Sequence, residues 1–164
     1  MIISQIAAMS KNRIIGNNNQ LPWSLPADMT FFKNKTVGHT VIMGKNNYLA
    51  EGKPLRDRKN IIVTHNREFK EDGIWIAYSV EEALDIGRKI ETEELFIIGG
   101  GQIYEQTLKY TQRIYLTVID AFIEGDVFYP EIDCNNWILL NSRFYMSDKQ
   151  NPFSHTYYVY NRKC

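Results

Sequence analysis

Leu95-Phe96-Ile97-Ile98-Gly99-Gly100-Gly101-Gln102-Ile103-Tyr104-Glu105-Gln106 decides the fold. Four apolar residues in succession, with no polar alternation, read as a strand covered on both faces, the kind that parallel sheets use. Three glycines then turn the chain, and the residues from Gln102 onward read as the first turns of a helix. Glycine lets an anionic group come close to the backbone, and a helix start offers free N–H groups. The spacing is not G-x-G-x-x-G, and a triple glycine is equally compatible with a plain tight turn.

Two further segments repeat the arrangement. Val41-Ile42-Met43-Gly44 leads into Lys45-Asn46-Asn47-Tyr48, and Ile61-Ile62-Val63-Thr64 leads into His65-Asn66-Arg67. Ligands of open α/β sheets sit beyond the carboxyl ends of the strands, so three such ends on one rim suit a long polyanionic cofactor. Lys45, His65 and Arg67 suit a 2′-phosphate, which favours NADPH over NADH. Taken singly, each basic residue is equally explained as a solvated loop charge.

Strands are expected at Ile2–Met9, Thr40–Gly44, Asn60–Thr64, Ile74–Tyr78 and Leu95–Gly99. Arg113–Asp120, Trp137–Ser147 and Thr156–Arg162 follow without intervening helices and are expected as antiparallel additions at one edge. Helices are expected after Pro26, Gly44, Ser79 and Gly101. Ser79-Val80-Glu81-Glu82 reads as a capping box with a structural role. The class is α/β, with one domain over residues 1–164 and a mixed, mostly parallel sheet. A long Asn-rich stretch, SKNRIIGNNNQLPWSLP, separates the first strand from the first helix and reads as a lid or binding loop.

Nineteen Lys and Arg balance nineteen Asp and Glu, so no broad basic face points to nucleic acid or an anionic membrane. The first residues lack the pattern of an export signal, and no apolar run is long enough to span a bilayer. Two cysteines, Cys134 and Cys164, suit a reducing cytoplasm. No cluster suggests a metal.

Pro26 suits the first helical position, so a helix is expected from Pro26 to about Lys35. Asp28 then falls within an apolar arc of Leu25, Met29, Phe31 and Phe32. A first-turn Asp can simply complement the helix dipole. Walled by aromatics it loses solvation instead, which raises its pKa and prepares it to hold a proton or to accept paired N–H donors.

The segments IAAMSKNRIIG, LPWSLPADMTFFK, VIMGKNNY, GKPLRDRKNIIVT, LFIIGGGQIYEQ, IYLTVIDAFIEGD and VFYP, in that order, resemble the dihydrofolate reductase family over nearly the whole chain. The resemblance implies an eight-stranded, mostly parallel sheet with an antiparallel C-terminal edge and four flanking helices. It implies NADPH-dependent reduction of dihydrofolate to tetrahydrofolate, serving one-carbon metabolism and thymidylate synthesis. It also implies a cytoplasmic monomer that binds antifolates such as trimethoprim and methotrexate.

The resemblance assigns residues as well. Asp28 takes the pterin's 2-amino and N3 side, with Tyr104 and Leu21 as further residues of the reaction centre. Ile6, Ala8, Met29, Phe32, Lys33 and Leu55 line the substrate slot, Thr117 orients Asp28, and Arg58 rather than Arg56 clamps the glutamate tail. Cofactor contacts fall on Ala8, Ile15, Gly16, Asn19, Gln20, Leu21, Gly44, Lys45, Asn46, Asn47, Thr64, His65 and Ser79. The rest fall on Ile98, Gly99, Gly100, Gly101, Gln102, Ile103, Tyr104 and Gln106, with a cis peptide between Gly99 and Gly100. The chain departs from the family's frequent residues at Lys45, Asn47, Glu51 and Gln102. A pyrimidine reductase of flavin biosynthesis, a non-catalytic NADPH sensor and a plain interaction domain are the competing readings. None of them needs an acid in an apolar slot.

Overall fold

A computed structural model describes residues 1–164. In chain order its strands are β1 (Ile2–Ser10), β2 (Ile14–Gly16), β3 (Thr40–Gly44), β4 (Lys59–Val63), β5 (Trp75–Ala77), β6 (Glu94–Ile97), β7 (Arg113–Ile119), β8 (Val127–Phe128), β9 (Trp137–Tyr145) and β10 (His155–Arg162). The helices are α1 (Pro26–Thr36), α2 (Lys45–Glu51), α3 (Val80–Ile90) and α4 (Gly101–Thr107), the last followed by a 3-10 turn, Leu108–Tyr110. Eight strands form one sheet in the order β5-β4-β3-β6-β1-β7-β10-β9, and β2 and β8 pair separately. No helix is long and apolar enough to cross a membrane.

The unbroken apolar runs are explained by cover on both faces. Ile42, Ile61, Leu95 and Ile97 join one core with Ala83 and Leu84 of α3 and Ile103 and Tyr104 of α4. Val41, Met43, Ile62 and Phe96, the alternate residues of the same strands, join the other core, against which Phe31 and Phe32 of α1 pack. The apolar side chains of each run thus alternate between the two cores.

The expected antiparallel edge is smaller than the sequence reading made it. β7 pairs parallel to β1, Ile6 opposite Tyr115 and Ala8 opposite Thr117. Only β10 runs against the rest of the sheet, antiparallel to β7 on one side and to β9 on the other. The reason is that α4 and its 3-10 turn connect β6 to β7, and a helical crossover returns the chain in the same direction. The strand expected at Ile74–Tyr78 shortens to Trp75–Ala77.

The long loop also holds unexpected structure. Asn17 and Gln20 exchange backbone hydrogen bonds of 2.9 and 3.0 Å around Asn18 and Asn19. Both of those residues are left-handed, at φ 50° and 62°, as a tight two-residue hairpin turn requires. β8 holds this hairpin's root through β2, and Gly125 permits the approach, because a side chain there would collide with Ile14 and the Gly16 carbonyl.

α3 is capped nearly as its sequence indicates. The Ser79 hydroxyl accepts the Glu82 N–H at 3.0 Å, but Glu82 reaches back to the N–H of Tyr78 rather than of Ser79.

Candidate active site

α1 starts at Pro26 after the buried Leu25, which cannot cap it. The cap comes from far away in sequence: the Asn151 side-chain oxygen accepts the Ala27 N–H at 2.8 Å. Asp148 holds Asn151 in turn, accepting its backbone N–H at 2.7 Å. This fixes the first turn of α1, and with it Asp28.

The Thr117 hydroxyl donates to Asp28 Oδ1 at 2.6 Å. Thr117 is buried on β7, flanked in register by Ala8 of β1 and Tyr157 of β10. The Tyr157 ring stacks on Phe31 at 4.4 Å and closes the wall. Burial raises the Asp28 carboxyl above its ordinary value, against the opposing pull of the Thr117 hydrogen bond and nearby His155. The Tyr157 hydroxyl is pushed up to about 12, by burial first and then by the Asp28 charge.

The apolar arc expected around Asp28 exists, but it does not dock fully into the core. Leu25 is buried and Phe31 and Phe32 are half-buried, whereas Met29 is 51% exposed. A cleft of about 390 Å³ explains the exposure: it is lined by Leu21, Trp23, Ser24, Leu25, Pro26, Asp28 and Met29. The lid residue Leu21 and the acid Asp28 therefore share one opening. Lys33, farther along α1, is exposed.

Behind this cleft the Tyr104 hydroxyl donates to the Ile6 carbonyl at 2.7 Å. Burial, and then the Asp28 charge, push its pKa far above the ordinary tyrosine value. Tyr104 is thus a packed ring with its proton committed, more deeply buried than a helix aromatic resting on a sheet would be. It cannot serve as an acid.

The three strand ends meet on one rim. β3 lies between β4 and β6, with Gly44 in register with Val63, and the Gly44 N–H donates to the Gly99 carbonyl at 2.8 Å. The Gly99–Gly100 peptide is cis. Gly99 has φ 110°, and a Cβ there would lie 3.0 Å from the Tyr104 ring; one on Gly100 would lie 3.2 Å from Asn47 Oδ1. Only glycine keeps this turn free of side chains, beside the N-termini of α2 and α4. That turn offers the bare backbone that binding a phosphate calls for.

Around the turn, Asn47 donates to the Ile98 carbonyl at 3.4 Å, and Asn46, Gln102 and Gln106 are exposed while Ile103 packs inward. Lys45 lies over the Phe69 ring at 5.2 Å and Arg67 over Tyr78 at 3.9 Å, next to exposed His65. Thr64 is buried and its hydroxyl accepts the Asn66 N–H, while Ser79 is occupied with its cap. On the lid side, Ile15 and Gly16 are half-buried in β2, and Asn19 and Gln20 are exposed at the hairpin.

Arg58 and Arg56 are distinguished by what holds them. The Arg56 side chain is 93% exposed. Arg58 donates to the buried Thr36 hydroxyl at 3.0 Å and to the Arg56 carbonyl at 2.9 Å. Its guanidinium lies 5.9 Å from the Phe32 ring, with half-buried Leu55 three residues before it in the chain. A fork preset in this way suits a carboxylate.

Sequence reading missed Asn151, His155 and Tyr157, all from the β9–β10 hairpin. They lie more than a hundred residues from Asp28, and no local spacing connects them to it.

A family model described as dihydrofolate reductase matches residues 2–162. The chain is similar to a dihydrofolate reductase of Bacillus subtilis (strain 168), 41% identical over 162 residues, which span 99% of this chain and 95% of that one. It is similar to a dihydrofolate reductase of Staphylococcus haemolyticus, 38% identical over 98% of this chain and 95% of the relative. A solved structure, dihydrofolate reductase from Enterococcus faecalis complexed with NADP(H) and RAB-propyl, superposes with a TM-score of 0.93 at 32% identity, covering 99% of this chain and 97% of that one.

Proposed function

We infer the chemistry of the cleft from one premise: the chain belongs to the dihydrofolate reductase family, and it reduces dihydrofolate to tetrahydrofolate with NADPH. The observation that carries the reading is the Asp28 carboxylate. It is raised by burial, held by Thr117, and is the one charged group lining a cleft whose other walls are Leu21, Trp23, Ser24, Leu25, Pro26 and Met29.

Reduction adds a hydride to C6 and a proton to N5 across the substrate's N5=C6 bond. NADPH, when bound, supplies that hydride from its nicotinamide ring. Asp28 accepts the paired N–H donors of the pterin edge, which orients the ring and favours its protonated form, with water carrying the proton to N5. Ile6, Ala8, Met29 and Phe32 supply the flat apolar walls, with Leu55 and Lys33 toward the outer end. Arg58 takes a carboxylate of the substrate tail. Gly99, Gly100 and Gly101 receive the pyrophosphate, Lys45 and His65 face the 2′-phosphate, and Tyr104 backs the nicotinamide. Leu21 and the Ile15–Gln20 segment close over the rings and exclude water, which leaves geometry as the main catalytic contribution.

Residues 1–164 act as one domain, a reading supported by a sheet that joins strands from both ends of the chain. The enzyme works as a monomer, since one chain supplies every wall of the cleft. It works in the cytoplasm, where two exposed, unbridged cysteines persist. Trimethoprim and methotrexate bind through a protonated diamino ring on Asp28.

The test is the loss of NADPH absorbance on mixing the chain with dihydrofolate, with NADH and a methotrexate-blocked sample alongside. Rapid, NADPH-selective and methotrexate-sensitive oxidation is expected. NADPH binding without oxidation would move the assignment to the pyrimidine reductase or the sensor.

A further inference from the structure

Gln5 stands in the middle of β1, between the buried Ser4 and Ile6, and is 0% exposed. A buried amide needs partners for its oxygen and its N–H groups. Gln5 Nε2 donates to the Tyr104 carbonyl at 2.8 Å and to the Thr107 hydroxyl at 3.0 Å. The Tyr129 hydroxyl donates to Gln5 Oε1 at 2.5 Å. Tyr129 is itself 0% exposed and meets the Tyr104 ring edge-on at 5.1 Å.

The same tyrosine is fastened to the root of the lid. Its N–H donates to the Arg13 carbonyl at 2.8 Å, and its carbonyl accepts from Arg13 Nη1 at 2.6 Å. Arg13 directly precedes β2, and β8 directly precedes Tyr129, so this contact closes the strand pair from which the Asn17–Gln20 hairpin springs. One hydrogen-bonded chain therefore runs from the lid root through Tyr129 and Gln5 to α4 and Tyr104, whose hydroxyl ends on Ile6. β1 bears the pterin-side walls, and α4 bears the nicotinamide side.

We propose that Gln5 and Tyr129 are positioning residues for hydride transfer, their buried hydrogen bond fixing the lid root and Tyr104 against β1 and so setting the approach of the two reacting rings. The proposal rests on the reading of the cleft as a dihydrofolate reductase site. A core that needed only stability would be filled by an apolar pair of the same volume. A fully satisfied polar network adds rigidity and a single geometry instead. Small misplacements of reacting atoms cost rate steeply, so the loss should fall on the chemical step.

The test compares the unmodified chain with Tyr129→Phe and with the double variant Gln5→Leu/Tyr129→Phe. Melting temperature, KM for dihydrofolate and single-turnover hydride transfer are measured, the last with NADPH and with NADPH deuterated at the transferred position. Tyr129→Phe leaves Gln5 Oε1 buried without its donor, so it should both melt earlier and transfer hydride roughly tenfold more slowly. The double variant should regain part of the melting temperature, because the orphaned Oε1 is gone while the Tyr104 carbonyl and Thr107 hydroxyl lose only the Gln5 donor, yet keep the slow, isotope-sensitive step, with KM within about twofold. Hydride transfer that recovers together with melting temperature, or that is unchanged in both variants, overturns the proposal. If the unmodified chain itself fails to oxidise NADPH with dihydrofolate, the functional reading falls, and the proposal with it.

Discussion

Burial lifts the Asp28 carboxyl above 3.8, while the Thr117 hydroxyl, 2.6 Å away, and His155 draw it partly back. An acid whose pKa is raised on folding stabilises the fold fully below its unfolded value, and that stabilisation is lost as pH rises through the folded value. At neutral pH, above its unfolded value, the buried Asp28 therefore costs stability. Asp28→Asn should raise the melting temperature at pH 7, by about 2–4 °C for each kcal/mol released, and the gain should vanish at acid pH; a gain independent of pH would contradict the burial account. Arg58 makes a second case. Arg58→Lys cannot present a planar fork, so KM for dihydrofolate should rise roughly tenfold, while a substrate lacking the glutamate tail should be affected little. Asp28 was legible in the sequence because a charge inside an aromatic arc is conspicuous. Gln5, next to Ser4 in β1, does not stand out in the sequence, and its partners Thr107 and Tyr129 lie about a hundred residues or more away, so no local pattern gives it a role.

The elements around the site hold one another through single side chains. α1 has no cap of its own, and Asn151 supplies one from the β9–β10 turn. Asn151→Ala should lower stability by about 1 kcal/mol, read as an earlier melting transition. Glu91 does similar work at the end of α3, accepting the N–H of Thr40 at 2.7 Å and those of Thr92 and Glu93 at 3.0 and 3.1 Å. Burial alone would raise its pKa, but these donors outweigh burial and hold it below 4.5. A depressed acid contributes stability that is present above its unfolded value and lost as pH falls through the folded one. Urea midpoints should therefore drop below pH 4.5 in the unmodified chain and drop less steeply in Glu91→Gln; identical slopes would contradict the clamp. Local chemistry made the helix starts at Pro26 and Ser79 readable. The helix after Gly101 was readable too, but the direction of β7 was not, because the sequence does not say that the strand after that helix pairs with β1 in the middle of the sheet rather than at its edge.

Across the whole molecule, the sheet places three strand ends on one rim and brings the C-terminal hairpin round to close the wall beside α1. The consecutive apolar runs made the class and the parallel centre legible from sequence. The pairing of β2 with β8 was not, because three- and two-residue strands carry no periodicity. This architecture sets Asp28 of α1 on Thr117 of β7, and the proposed reaction centre rests on that carboxyl. The direct test is the pH dependence of NADPH oxidation by dihydrofolate, run on the unmodified chain and Asp28→Asn after both are shown to bind NADPH equally. A loss of about 100-fold or more is expected in Asp28→Asn at neutral pH, with the deficit shrinking at low pH as the substrate becomes protonated from solution. Equal turnover by the two proteins across the pH range would contradict it.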